Sequence, residues 1–126
     1  MTTSEDLRTI VIAAAREFNA GRYFEAHEVL EDGLDVVPDA YWTLFVGLIQ
    51  IAVGYHKVTH RLWPGARHML EIGLRKIEPF AADAAGLNLN LLRRRAHTDV
   101  QHLTLGTFDA GAFARHPPRL QPLNLP

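Results

Sequence analysis

Phe18-Asn19-Ala20-Gly21-Arg22-Tyr23-Phe24-Glu25-Ala26-His27-Glu28-Val29-Leu30-Glu31 is the stretch whose reading decides the fold. It holds the end of one helix and the start of the next. Before it, Leu7, Ile10, Val11, Ala14 and Phe18 recur at helical period and form one apolar stripe. Thr3 stands three residues ahead of Asp6, a capping-box spacing with Asp in the Glu/Gln role. Asn19-Ala20-Gly21 stops this helix, because Asn and Gly tolerate the left-handed turn at a helix C-terminus. The second helix begins near Arg22 and is expected to reach about Val36. So short a connection makes the two an antiparallel hairpin.

Outward from the hairpin, Pro38 ends the second helix and Asp39 is the expected N-cap of a third. That third helix spans Ala40 to about His60 and is apolar nearly all round through Tyr55. The run falls short of the ~20 residues a membrane span needs, and Thr43 and Gln50 interrupt it, so a buried central helix is predicted. Pro64 suits the first turn of a fourth helix, with Met69, Leu70, Leu74 and Ile77 inward and Gly73 admitting a close neighbour. Glu71 and Arg75 are the expected outer i,i+4 pair, and Pro79 ends the helix. A small-residue connection, Ala81 to Leu87, leads to Asn88, the cap of a fifth helix. Leu89, Leu92, Ala96, Val100 and Leu103 face inward there, and Gly106 closes it. Arg93-Arg94-Arg95 reads as a solvated face. Pro117, Pro118, Pro122 and Pro126 fall in the last ten residues, which excludes a helix or a central strand there. Phe108, Phe113, Leu120, Leu123 and Leu125 are expected to pack this tail across the helices. The prediction is an all-α single domain: about five helices packed as antiparallel hairpins over residues 1–106, and a Pro-rich extended tail over 107–126. No period-2 strand pattern and no internal repeat are read.

Composition narrows the function classes. The chain has 126 residues, 13 Lys+Arg against 14 Asp+Glu, a formal charge of −1, seven histidines and no cysteine. The absence of Cys excludes disulfides, thiolate zinc sites and a cysteine nucleophile. The near-zero charge gives no pull toward nucleic acid or an anionic membrane. The acidic start, Met1-Thr2-Thr3-Ser4-Glu5-Asp6, does not fit a signal or transit peptide, so a cytoplasmic setting is expected.

On a helical wheel of roughly 100° per residue, His27 and Glu31 fall between Leu34 and Phe24, leaning toward the apolar arc. Glu25, Glu28 and Asp32 fall on the outer side. A polar pair on an apolar arc is costly unless each group finds a partner. It reads either as a structural hydrogen bond or as a pocket pair: an acid/base couple, a ligand clamp or a metal site. His27-Glu28-x-x-Glu31 lacks the second His of the zinc-protease motif, and Glu25-Ala26-His27 has the wrong spacing for the di-iron Glu-x-x-His motif.

On the third helix, Thr43, Gln50 and Lys57 share one line, with Gly47 and Gly54 beside it. Small residues admit a second helix, and helix two, bringing His27 and Glu31 to Gln50, is the expected visitor. A ligand-binding set of Tyr23, His27, Glu31 and Gln50 follows. His56 and His60, at i,i+4, can grip a divalent metal on one helical face, and His68 could join them; a polar helix end is the alternative. His97, His102 and His116 match no motif. No Gly-rich phosphate loop and no nucleophile elbow are present.

At these residues the chain resembles the bacterial and plastid family known as domain of unknown function 309. That family carries Phe-Asn-x-Gly-x-Tyr/Phe-x-x-His-Glu-x-Leu-Glu, which stands here as Phe18 through Glu31. Its Gly-Leu-Ile-Gln-x-Ala block is matched by Gly47-Leu48-Ile49-Gln50-Ile51-Ala52, and a helix-opening Gly-Ala by Gly65-Ala66. Gly86-Leu87-Asn88 is similar as well, so the resemblance spans roughly residues 7–105. After Glu31 the family usually has a Trp where this chain has Gly33-Leu34, so a pocket walled by that Trp would be wider here. The resemblance implies a small all-helical domain and sets His27, Glu28, Glu31 and Gln50 on motif positions; it supplies no activity. The Gly-x-Tyr-x-x-Ala rhythm also resembles tetratricopeptide helices, although no 34-residue period is read.

Two functions are carried forward. The first is a binding or interaction module with a polar His-Glu-Gln pocket between helices two and three. It needs no cofactor and takes a protein partner or a small ligand, or a second copy of the chain through Trp42, Trp63 and the tail aromatics. The second is a hydrolase-like enzyme using His27 with Glu28 or Glu31, alone or with a divalent metal held by His27, Glu31, His56 or His60.

Overall fold

The computed structural model describes residues 4–123 and folds them into six helices. These are α1 (Ser4–Asn19), α2 (Tyr23–Gly33), α3 (Trp42–Thr59), α4 (Trp63–Ile77), α5 (Leu89–Leu105) and α6 (Ala110–Arg115). Among the described residues there is no strand, only an isolated bridge between Leu87 and Pro122. The architecture is all-α, as predicted. The proposed cap Thr3 and the tail residues Leu125 and Pro126 lie outside the described residues.

The first hairpin closes as the decisive stretch dictates. Val11, Ala14 and Phe18 are buried, and α1 ends with Gly21 in the left-handed region at φ +81°. The Gly21 N–H donates to the Phe18 carbonyl and the Arg22 N–H to the Glu17 carbonyl, a Schellman closure that satisfies the helix-end acceptors. Arg22, at φ −92° and ψ 70°, then opens α2 directly.

α3 and α4 repeat this construction forty residues later. Arg61 takes the left-handed position at φ +58°, its N–H donates to Val58, and the Leu62 N–H donates to Lys57. Leu62 has the same φ −92° and ψ 70° as Arg22. Ala26, Leu30, Glu31, Gly33 and Leu34 recur as Ala66, Leu70, Glu71, Gly73 and Leu74, and Tyr23 recurs as Trp63. The expectation of no internal repeat is therefore corrected. The period is forty rather than thirty-four, and only two copies exist, so it is too short a series to stand out by eye.

α3 is the central helix, packed by α2 on one side and α4 on another. Leu44, Phe45, Leu48, Ile51, Ala52 and Tyr55 on it are buried. Gly47 and Gly54 receive α4 and not α2, which corrects the expected pairing. A Cβ on Gly47 would lie 3.0 Å from the Gly73 carbonyl oxygen, and one on Gly54 would lie 2.8 Å from Leu70.

Several local expectations change. α2 ends at Gly33, three residues early, in a turn that carries Val37 into the core. Asp39 caps nothing with its side chain; it opens a short 3-10 turn, Asp39–Tyr41, that leads into α3. Glu71 pairs with Arg67 at 3.0 Å instead of Arg75. Asn88 caps α5 as predicted, accepting the Leu91 N–H at 3.1 Å, and Gly106 closes it at φ +72°. The Arg93–Arg95 run is not a solvated face. Arg93 donates to the carbonyls of Ile77 and Phe80, Arg95 holds Asp99, and only Arg94 is exposed. The region after residue 106 contains α6, capped by Asp109 through the Ala112 N–H, ahead of the prolines. Beyond it Pro118 and Leu120 are buried, and the Asn19 amide holds the Leu120 backbone through both its N–H and its carbonyl.

Candidate functional site

The two hairpin turns lie at one end of the molecule, and α6 lies across them. Between the three is a cleft of about 430 Å³. The first turn contributes Gly21 and Tyr23, the second Val58, Thr59, Arg61 and Trp63, and α6 adds Phe113. The repeat thus sets two equivalent aromatic residues, Tyr23 and Trp63, into one recess. Both follow a helix start that has no side-chain cap. No bond from the backbone N–H groups of Tyr23, Phe24, Trp63 or Gly65 to another described residue is present. The left-handed backbone costs an L-residue about 1–2 kcal/mol, and Gly21 avoids that cost. Arg61 bears it with an exposed side chain that makes no hydrogen bond or ion pair among the described residues.

Behind the cleft is an aromatic wall. Tyr23 meets Phe18 edge-on at 5.0 Å and Tyr55 at 5.7 Å, and Phe113 stacks on Tyr55 at 5.8 Å. The two tyrosine hydroxyls differ. Tyr55, fully buried, donates to Asp99 Oδ2 at 2.7 Å, and Arg95 Nε donates to the same oxygen at 2.9 Å. Asp99 is itself 5% exposed, so this carboxylate is balanced by a charge-assisted pair and not by water. Burial, with the Asp99 charge behind it, holds the Tyr55 hydroxyl well above the usual tyrosine range. Tyr23 is 3% exposed, and burial raises it to about 12. Its hydroxyl therefore stays protonated, yet it makes no hydrogen bond to any described residue.

Of the predicted ligand-binding set Tyr23, His27, Glu31 and Gln50, Tyr23 alone lines this cleft, together with Trp63 and Phe113 of the predicted contact aromatics. His27 Nδ1–H donates to the Phe24 carbonyl at 2.7 Å. That bond leaves Nε2 without a proton in the neutral ring, so the 3.6 Å approach to Glu31 is an ion pair only when the ring is charged. The His27 side chain is 15% exposed and leans inward as expected, whereas Glu31 is 63% exposed, which corrects its half of the pair; Glu28 is on the outer side, as read from the sequence. Gln50 makes no hydrogen bond to them: its Oε1 is buried without a partner. His27 instead shares the half-exposed Phe24 ring with His56, at 4.8 and 5.3 Å, and His56 lies 4.4 Å from His60. Burial, then the neighbouring His60, lowers His56 below the ordinary histidine value. No group of three or more His, Asp or Glu side chains able to hold a metal ion is present among the described residues. Nor is any helix there long and apolar enough to cross a membrane.

The sequence reading missed Arg61 and Asp99, and gave Asn19 only its place in the helix stop, without its hold on Leu120. Asp99 carried a usable signal: it falls seven residues after Leu92, on the inward line of α5. Arg61 becomes legible only when the hairpins are aligned and it falls opposite Gly21. Among curated proteins none matches the chain. The profile of the family described as Domain of unknown function (DUF309) does match, over residues 11–69. That span runs from within α1 into α4, takes in the His27 and Gln50 motifs, and stops short of the Gly86-Leu87-Asn88 stretch. Over residues 11–69 the chain is similar to the DUF309 family.

Proposed function

We propose that the protein is a binding module whose receptor site is the cleft between the two hairpin turns and α6. The observation that carries this reading is the Tyr23 hydroxyl. The Tyr23 ring is buried, while its hydroxyl, bonded to no described residue, is left at the cleft wall to meet solvent or a ligand. It sits beside a recess of about 430 Å³, within the usual range for ligand pockets. The walls are aromatic and the polar groups few, the composition that suits capture of an apolar body with one or two directional contacts. The His27 pair supports an acid/base or metal reading less well. Glu31 is open to solvent, and His27, Glu31 and Gln50 do not line the cleft between the turns and α6.

The test is amide chemical-shift mapping with phenylacetamide, an uncharged aromatic probe. Saturable shifts are expected at Gly21, Thr59, Trp63 and Phe113, with a Kd on the order of 1 mM, as befits a fragment. They should vanish in Phe113→Ala. Shifts centred instead on His27 and His56, or none at all, would overturn the reading.

A further inference from the structure

The chemistry around the cleft points to a narrower ligand class, an inference that rests on the binding-module reading. We infer that the cleft takes a carboxylate attached to an aromatic or branched apolar body, with Arg61 and the Tyr23 hydroxyl gripping the carboxylate.

Four observations converge on it. Arg61 holds a left-handed backbone at the position where the sister hairpin uses Gly21, and a Cβ built on Gly21 meets nothing within 4 Å. Both sites are thus open toward solvent, and packing does not explain a side chain at the second. The Arg61 guanidinium is unpaired among the described residues, whereas Arg22 at the other turn is held by Glu17 at 2.5 Å. No acidic residue lines the cleft. The Tyr23 hydroxyl, on a residue 3% exposed that lines the cleft, is a protonated donor bonded to no described residue. The helix ends add to this. The carbonyl termini of α1 and α3 are quenched by their Schellman closures, while the uncapped N-termini of α2 and α4 leave donors facing outward.

Donors outnumber acceptors, so the missing group is an anion. One guanidinium fork and one hydroxyl match a planar monoanion; a phosphate dianion asks for more positive charge than this cleft holds. The aromatic wall of Tyr23, Trp63 and Phe113 takes the body. A free small acid and the C-terminal residue of a peptide present the same chemistry.

The experiment compares isosteres on the native chain and on Arg61→Gly. Phenylacetate is set against phenylacetamide, and N-acetylphenylalanine against its amide, by shift titration. Each acid is expected to bind about tenfold more tightly than its amide, a preference that falls with added salt. In Arg61→Gly the preference should drop to about one while the amides bind as before. The melting temperature should rise by about 3–5 °C, because glycine relieves the left-handed backbone. That rise shows the fold is intact, and Arg61→Asn, which also tolerates this conformation, serves as a second neutral variant. The larger of the two acid-to-amide ratios identifies the source, free acid or peptide terminus. Equal binding of acid and amide, or a preference that survives both substitutions, overturns the inference while leaving the binding module standing. Failure of every probe at the cleft overturns the module itself, and the inference with it.

Discussion

The two hairpins share one backbone plan and differ in what they hang on it. Where they agree, Ala26 with Ala66, Leu30 with Leu70 and Gly33 with Gly73, the residues are buried and close helix against helix. Where they diverge, the positions gather at the cleft and the polar core. Gly21 becomes Arg61, Tyr23 becomes Trp63, and the buried Ala15 of α1 becomes Tyr55 of α3. The comparison separates two kinds of constraint within one motif. The repeated alanine, leucine and glycine residues serve packing, and the unrepeated ones at the cleft mark where the second hairpin does something the first does not.

The sharpest difference is Ala15 against Tyr55, since only α3 reaches the buried carboxylate of α5. Removing that carboxylate gives the largest predicted effect. Asp99→Ala strands the Tyr55 hydroxyl and leaves Arg95 unpaired, and it should cost about 3 kcal/mol in urea unfolding. Tyr55→Phe should cost about 1–2 kcal/mol, for one charge-assisted hydrogen bond lost. Tyr23→Phe, on a ring 5.7 Å away, should stay within about 0.5 kcal/mol, because its hydroxyl has no partner to lose. Equal losses for the two tyrosines would mean that Tyr23 is satisfied inside the protein, and the cleft would lose its orphan donor.

A second contrast concerns two glycines at matched positions. A Cβ on Gly73 would meet the Gly47 carbonyl oxygen at 2.8 Å, backbone that cannot step aside. A Cβ on Gly33 would meet Ile10 Cγ2 at 2.9 Å, a methyl of a half-buried side chain and not backbone. Gly73→Ala should therefore destabilise by about 2 kcal/mol despite its better helix propensity. In Gly33→Ala the propensity gain of about 1 kcal/mol offsets most of the strain. Equal midpoints for the two variants would show that α3 and α4 can separate as readily as α1 and α2.

Much of this architecture was legible in the sequence. Apolar spacing, Gly21, Pro64, Asn88 and Gly106 fixed both hairpins and α5, because each acts through local backbone chemistry. What lay beyond reach depends on which helix meets which. The glycines of α3 announce a close neighbour, but Gly47 and Gly54 cannot say whether α2 or α4 fills the space. The His27–Glu31 spacing is a true i,i+4 contact, yet its burial depends on how α2 rolls against α3, and that roll puts Glu31 in water. Arg93 looked solvated because its partners are carbonyls of Ile77 and Phe80, groups that every sequence has and none displays.

The smallest predicted effect comes from His56, which stands on α3 where the first hairpin has Arg16. Its surroundings are His60, Lys57, His27 and Glu25, with Phe24 covering one face, and the net result is a value below 6.5. The folded chain then takes up this proton less readily than the unfolded chain. By linkage the contribution to stability is full above 6.5 and is lost as pH falls through that value toward the lower folded one. Glu17 and Asp109 are also shifted downward, but from 4.5 and 3.8, so their losses begin only in more acidic solution. Urea midpoints measured from about pH 8 down to about pH 5 should decline gently, and His56→Gln should flatten the lower part of that curve. A steeper decline in His56→Gln would place the titrating group elsewhere in the cluster. An unchanged curve would mean that Phe24 shields the ring too little to matter, leaving this face of α3 no more constrained than the exposed Arg16 it replaces.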